Sequence, residues 1–502
     1  AYDETPAMAF LTGVEVIGYQ KSSVDGQYTT GIFPPLRFTY SGFEPTGKDF
    51  LPLVIQGGGE LPGYIGSEQF LPVDLYGEGI SGFLLSNDVL TLYWRPQGDA
   101  VYGYPEAPEQ FPIEKDLESG IYELADIDGN GLVELVVNTP SRGGFYKNVD
   151  GVWKAYPDFV SYPLEATIPD METVDLTGDG LADLAVFMEG SVRYYTSLGT
   201  EGYTPAVDIP ESGTLPFTTS AAGEFVGFAD MFGDGLSHRI RIRSGQIECW
   251  PNLGYGRFGP VVQFGNAPLF NGNFDPSRLF LVDVDGSGTT DIAYAYSDRM
   301  EVFLNRSGNS FGDPLSIPLP LPYNAINRIT FTDVNGSGST SLVLTSVDGD
   351  VQHLYYDFTG GVKPYLMTDI DNNLGALTRI RYASSTEFYF ADKRAGRPWV
   401  TKLPFPVQVV ERVESIDRIS KSKLVQRFAY HDGYYDPIER EFRGFGYVET
   451  WDTQTFEDFA QPGLLQGVEF NAGQEELHAA AVYTREWFHT GAYETSGIIS
   501  RQ

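Results

Sequence analysis

The chain has 502 residues, 42% of them hydrophobic, which is enough for a large packed core. It carries 68 acidic against 33 basic side chains, a formal net charge of −35 that excludes nucleic acid and anionic membranes as direct partners. A single cysteine, Cys249, excludes an intrachain disulfide framework and any multi-cysteine metal site; no apolar run approaches the roughly 18 residues that direct membrane insertion needs.

Residues 1–45 read as strands: FLTGVEVIGYQ, a turn at Ser23-Val-Asp-Gly26, then LRFTYS. No charged-apolar-small leader opens the chain at Ala1, and the first residue is not Met, so a processed or cut-out segment of a longer protein is expected.

From about 46 to 365 a short acidic, glycine-rich loop recurs six times between apolar runs. The first aspartates are Asp74, Asp126, Asp175, Asp230, Asp283 and Asp333, at steps of 52, 49, 55, 53 and 50 residues. Each loop leads through an apolar run and an aromatic-rich strand to a glycine hairpin, as in GFYKNVDGVWKAYP and IECWPNLGYGRFGP. A period near fifty with strand content means one four-stranded unit per repeat, arranged radially. The expected fold is all-β: a six-bladed β-propeller over 46–365 with flanking antiparallel strand regions. A ring of seven stays open if a diverged unit hides within 20–70.

The loops follow D-x-D-G-D-G-x-x-D, in which positions 1, 3, 5 and 9 supply side-chain oxygens and the glycines let them converge, as a hard Ca²⁺ ion requires. Three copies keep all four: Asp126/Asp128/Asn130/Glu134, Asp175/Thr177/Asp179/Asp183 and Asp283/Asp285/Ser287/Asp291. The copy at Asp333 has one carboxylate; Phe232 and His238 spoil the fourth loop, and Tyr76 and Gly82 the first. The same strings also describe metal-free turns in which Asp accepts backbone N–H bonds and Gly takes positive φ. No cofactor is required under either reading, and calcium is the one candidate ligand.

After 366 the period is lost. LTRIRYASS, PVQVVERVESI, KLVQRFAYHDGYYD and REFRGFGYVETWD predict long antiparallel strands, with turns at His431-Asp-Gly433 and Gly444-Phe-Gly446 and one candidate helix over 473–482. Thirteen of the 33 Lys and Arg fall between Arg379 and Arg443, so this segment is expected to pack on the acidic ring or on shell outside the chain. No catalytic constellation emerges. Gly308-Asn-Ser-Phe-Gly312 matches a nucleophile elbow, but Asp313-Pro314 follows instead of a helix. Gly254-Tyr-Gly-Arg-Phe-Gly259 matches a dinucleotide fingerprint, but Pro260 forbids its helix.

The run YHDGYYDPIEREFRGFGYVETWD (430–452), with LMTDIDNNLGALTRIRYASST (366–386), GRPWVTKLPFPVQVVERV (396–413) and YTREWFHTGAY (483–493), resembles the B subunit of bacterial toxin-complex (Tc) insecticidal toxins. The resemblance implies the end of an SpvB-like region over 1–45, an FG-GAP or VCBS-like propeller over 46–365, and the start of a YD-repeat (Rhs-like) shell over 366–502. It further implies a secreted, non-enzymatic part of a toxin. The B subunit closes a cocoon with a C subunit, and its propeller docks on a pentameric A-subunit channel and gates cargo release. The alternative, from a different class, is a secreted Ca²⁺-dependent adhesion or glycan-binding propeller.

Overall fold

The computed structural model describes residues 2–4, 8–112, 117, 121–139, 142–149, 151–168, 170–210, 215–216, 222–324, 326–452 and 481–491. Six antiparallel sheets follow one another along the chain. Blade 1 is Phe70–Val73, Gly82–Ser86, Thr91–Gly98 and Val101–Glu106; blade 2 is Tyr122–Ala125, Glu134–Thr139, Arg142–Val149 and Val152–Asp158. Blade 3 is Met171–Val174, Asp183–Met188, Ser191–Tyr195 and Val207–Pro210; blade 4 is Phe225–Ala229, His238–Arg243, Gln246–Trp250 and Val262–Gln263. Blade 5 is Leu279–Val282, Asp291–Ala295, Arg299–Phe303 and Leu315–Pro318. The elbow-like Gly308–Gly312 falls in a side hairpin, Asn305–Arg306 with Ser310–Phe311, and no helix follows it.

Blade 6 takes only three strands from its own repeat: Asn327–Thr332, Ser341–Ser346 and Gln352–Asp357. Its outermost strand is Leu51–Pro52, from the other end of the ring, with Leu51 opposite Tyr355 and Pro52 opposite Leu354. One residue later Val54–Ile55 pairs in parallel with Val101 and Tyr102 of blade 1. The start of the repeat region thus closes the ring, which leaves no open seam between the first and last blades.

Apolar cores fill the seams. The junction of blades 5 and 6 buries Val284, Met300, Leu342, Leu344, Tyr356 and Phe358 among others, whereas that of blades 2 and 3 rests on Val136, Phe145 and Phe159. Between blades 3 and 4 a charge is buried. Arg239 has no exposed surface, pairs with Glu172 at 2.6 Å, and its guanidinium carbon lies 4.3 Å from the Phe187 ring centroid.

The two flanking regions form one body. An eight-stranded antiparallel sheet runs Gly13–Val14, Leu36–Tyr40, Met367–Asp371, Ala376–Ser384, Gln408–Asp417, Ser422–Asp436, Glu441–Trp451 and Tyr483–Trp487. Two details depart from the sequence reading. The segment His431-Asp-Gly433 lies inside the strand Ser422–Asp436, with Asp432 at φ 54° and a register shift following between Gly433 and Tyr435, and Gly444-Phe-Gly446 lies inside the strand Glu441–Trp451; the chain turns instead at 437–440. An Asp-Gly pair accommodates positive φ within a ladder as readily as in a turn, so composition alone placed the reversal wrongly.

Second, a ten-residue helix, Ser385–Arg394, stands between the predicted strands LTRIRYASS and PVQVVERVESI, where weak helical periodicity pointed to no helix. It opens on a capping box, Ser384 with Glu387, and ends on Lys393 and Arg394, which complement its dipole. The candidate helix over 473–482 lies outside the described residues except for its last two, which lead into the strand Tyr483–Trp487. No helix among the described residues is long and apolar enough to cross a membrane.

Candidate functional site

All six acidic loops sit on one face of the ring and share one backbone geometry. The first aspartate accepts the N–H groups of both following glycines. For Asp126 these are Gly129 at 2.8 Å and Gly131 at 2.7 Å; for Asp175, Gly178 at 2.6 Å and Gly180 at 2.8 Å. For Asp283 they are Gly286 at 2.7 Å and Gly288 at 2.9 Å. The degenerate loops do the same through Asp74, Asp230 and Asp333. All twelve glycines have φ between 68° and 90°, a region that costs any side chain with a Cβ roughly 1 kcal/mol or more. Position 2 is apolar throughout and anchors the loop: Leu75, Leu176, Met231, Val284 and Val334 are fully buried.

Position 9 ties the loop to the third strand of its blade. Asp183 accepts from Ser197 N–H at 2.8 Å and Asp291 from Asn305 N–H at 2.8 Å. In blade 4, His238 takes the same part, its Nδ1 accepting from Asn252 N–H at 3.0 Å. That bond leaves the imidazole proton on Nε2, which donates to Asp234 Oδ1 at 3.0 Å. His238 therefore fills the loop as a donor, although Asp230, Asp234 and His238 converge closely enough to suggest a metal. In blade 1, Gly82 leaves room for the Tyr93 hydroxyl, which accepts from Gly82 N–H at 3.2 Å and donates to the Val73 carbonyl at 3.1 Å.

Of the three sequence-predicted metal sets, two converge. Asp126, Asp128 and Glu134 bring ligand atoms within 4.8 Å of one another, as do Asp283, Asp285 and Asp291. The carboxylates of the Asp175 loop (Asp175, Asp179, Asp183) are not among the converging groups; Thr177 Oγ1 lies 3.4 Å from Asp175 Oδ1, and Asp179 Oδ1 accepts from Leu181 N–H. Asn130 likewise accepts from Leu132 N–H, and Ser287 Oγ lies 3.0 Å from Thr289 Oγ1.

Burial governs the charge of these loops. It pushes Glu134 up to about 8, aided by Asp128, and raises Asp126 and Asp183 above the ordinary carboxylate range. Asp283 and Asp291 are raised too, first by burial and then by Asp285 beside them. Loop 2 holds unmet carboxylate acceptors: Glu134 has no exposed surface, yet its Oε1 and Asp128 Oδ1 lack partners. Lys147 Nζ sits 2.5 Å from Asp128 Oδ2.

The C-terminal segment supplies most of the remaining counter-groups. Tyr365 donates to Asp285 at 2.6 Å; Lys402 Nζ to the Tyr76 carbonyl at 2.9 Å; Gln408 to the Ser337 carbonyl at 2.7 Å; Arg440 to the Asp179 carbonyl. Glu78, in loop 1, is the most heavily bound. Arg95, Lys393 and Tyr389 all reach its Oε1, and although burial alone would raise it, the two cations hold it below its ordinary value. Leu403–Pro406 crosses the loops of blades 1, 2 and 6 close to Gly79, Gly131 and Gly338. Periodicity located the loops, but these partners lie up to 326 residues away, and only the clustering of basic residues after 379 hinted at them.

The opposite face carries the tight hairpins. There Val89, Leu90, Leu269 and Ile326 are exposed, beside the acidic Asp88, Glu189, Asp298, Asp348 and Asp350.

An acidic six-bladed ring with calcium-type loops, seated by one face on a sheet of its own chain, defines a propeller-and-shell segment. The comparisons with known proteins carry this to a family. Residues 305–462 match the insecticide toxin TcdB middle/N-terminal region, and residues 126–186 match the FG-GAP-like repeat. The whole chain aligns with a chain of the Photorhabdus luminescens Tc holotoxin pore at 30% identity and a TM-score of 0.85. It also aligns over its full length with the TcdB2-TccC3 crystal structure lacking the hypervariable C-terminal region, at 29% identity and a TM-score of 0.67. The TcdB2-TccC3-Cdc42 structure matches 99% of the chain at 28% identity with a TM-score of 0.68. The chain spans 23% of each of those toxin chains. No curated protein matches the sequence. The chain is thus similar over its whole length to part of these Tc-toxin chains, consistent with a fragment of the Tc-toxin B-subunit type.

Proposed function

We propose that this segment caps the toxin-enclosing cocoon of a secreted bacterial toxin complex, docks it on a pentameric A-subunit channel, and gates release of the cargo. It has no catalytic role in this reading, and a C subunit of the TccC3 kind completes the cocoon. The observation that carries the proposal is the asymmetry of the ring. On its loop face the chain's own C-terminal segment reaches the loops of blades 1, 2, 3, 5 and 6, while its hairpin face offers exposed apolar side chains among acidic ones. Such a patch fits a partner with an apolar centre and a basic rim, and the charge speeds association.

The test is association of the whole chain with a purified pentameric channel subunit at low and high ionic strength. A Val89→Asp/Leu269→Asp variant is expected to bind at least ten-fold more weakly, and Ile419→Asp, at an exposed turn of the sheet, as tightly as the unaltered chain. The reverse result would place the contact on the sheet and end the docking proposal.

We also propose calcium for the loops at Asp126 and Asp283. The orphaned buried oxygens of Asp128 and Glu134 fit a hard dication, which Asp126 and Asn130 would help to hold. The Asp175 loop, whose carboxylates do not converge, would bind it less well. Calcium would stabilise the ring by mass action. Melting in calcium and in EDTA, with a metal assay, tests this; identical curves and no bound metal would leave the loops as plain turns.

A further inference from the structure

We propose that loop 2 and the hairpin tip covering it form a calcium-responsive latch between ring and sheet; the proposal rests on the calcium reading of that loop. The tip, at 437–440, lies between the strands Ser422–Asp436 and Glu441–Trp451. Just before it, Tyr435 donates its hydroxyl to the Gly129 carbonyl at 3.3 Å. Arg440, held at φ 51°, lays its guanidinium against Gly129 and donates to the Asp179 carbonyl in loop 3, so one side chain spans two loops.

Two positive charges therefore border loop 2 on either side: Arg440 above the backbone and Lys147 on Asp128. The buried Glu134 and Asp128 oxygens that lack donors are the acceptors a cation would take. A dication bound there must displace Lys147 from Asp128 Oδ2 and repel Arg440. A unit charge about 6 Å from a dication, in surroundings close to water, changes its affinity by about ten-fold. Because coupling is reciprocal, calcium weakens the seating of the tip by the same factor that the tip weakens calcium. Loop 5 also meets a cation, since Lys363 lies against its Gly286, but a neutral hydroxyl, Tyr365, contacts its Asp285.

The experiment uses the whole chain. Calcium is titrated calorimetrically at fixed ionic strength into the unaltered protein and into Arg440→Ala, Lys147→Met and Glu134→Gln. Hydrogen exchange over 434–443 is measured in the unaltered protein with and without calcium. Arg440→Ala and Lys147→Met are expected to tighten loop-2 binding about five- to ten-fold, Glu134→Gln to remove that binding event, and calcium to speed exchange at the tip. If calcium binds but Arg440→Ala leaves its affinity unchanged and exchange at the tip does not move, the latch is refuted and the calcium reading stands. If no calcium binds to any of the four proteins, both fall.

Discussion

Replacing Glu134 with Gln removes a titrating group from the buried base of loop 2 while keeping its shape and the acceptor for Ile127 N–H. Glu134 has no exposed surface, and burial raises it from 4.5 to about 8. Between those values the folded state holds a proton that the unfolded chain has released, so stability falls as pH rises through the interval. The slope is at most about 1.4 kcal/mol per pH unit, hence about 2 kcal/mol between pH 6 and 7.5. For a body this large that corresponds to roughly 2–3 °C in Tm. In EDTA, the unaltered protein should therefore lose about that much more Tm than Glu134→Gln as pH is raised from 6 to 7.5. In millimolar calcium the difference should shrink, because a cation favours the ionised carboxylate. Scanning calorimetry at several pH values reads both effects. Parallel Tm profiles in EDTA would mean that Glu134 is already ionised at pH 6 and that the burial argument is wrong.

Glu78→Ala leaves Arg95 and Lys393 without their shared carboxylate and should cost about 3–5 kcal/mol in urea unfolding, with early loss of the helix Ser385–Arg394 from the ring; a cost under 1 kcal/mol would show that the cluster is solvated. Arg239→Ala strands Glu172 and empties the space between Phe187 and Phe228; it should cost a similar amount, and Arg239→Met clearly less, in the same assay. At Gly131, φ is 81° and a Cβ would overlap the Pro404 ring. Gly131→Ala should therefore destabilise by about 2–4 kcal/mol, whereas Gly254→Ala, equally left-handed but facing open space, should cost about 1 kcal/mol, as read by paired thermal melts.

What the sequence determined by itself is everything that closes within one repeat. The Asp–glycine hydrogen bonds span three to five residues, the positive φ values belong to glycine's own chemistry, and each strand pairs with its neighbour through a short turn. Blade number and the position of every acidic loop were therefore legible from spacing. Even the helix Ser385–Arg394 had a local signature in Ser384 and Glu387, masked by the apolar run Phe388-Tyr389-Phe390, which reads equally well as strand. Only the tertiary structure decided the rest. The strand that closes the ring is two residues long, too short to carry a periodic signal, and its partner lies about 300 residues away. Strand Leu36–Tyr40 joins the C-terminal sheet over a similar distance. The loops that looked most alike as calcium sites differ by what approaches them: Lys147 and Arg440 at one, Lys363 and Tyr365 at another, a carbonyl-bound Arg440 at the third. The loop's own residues set its backbone, but its charge and ligand capacity depend on burial and on donors brought from elsewhere in the chain. Those terms exist only once the ring has closed on its sheet.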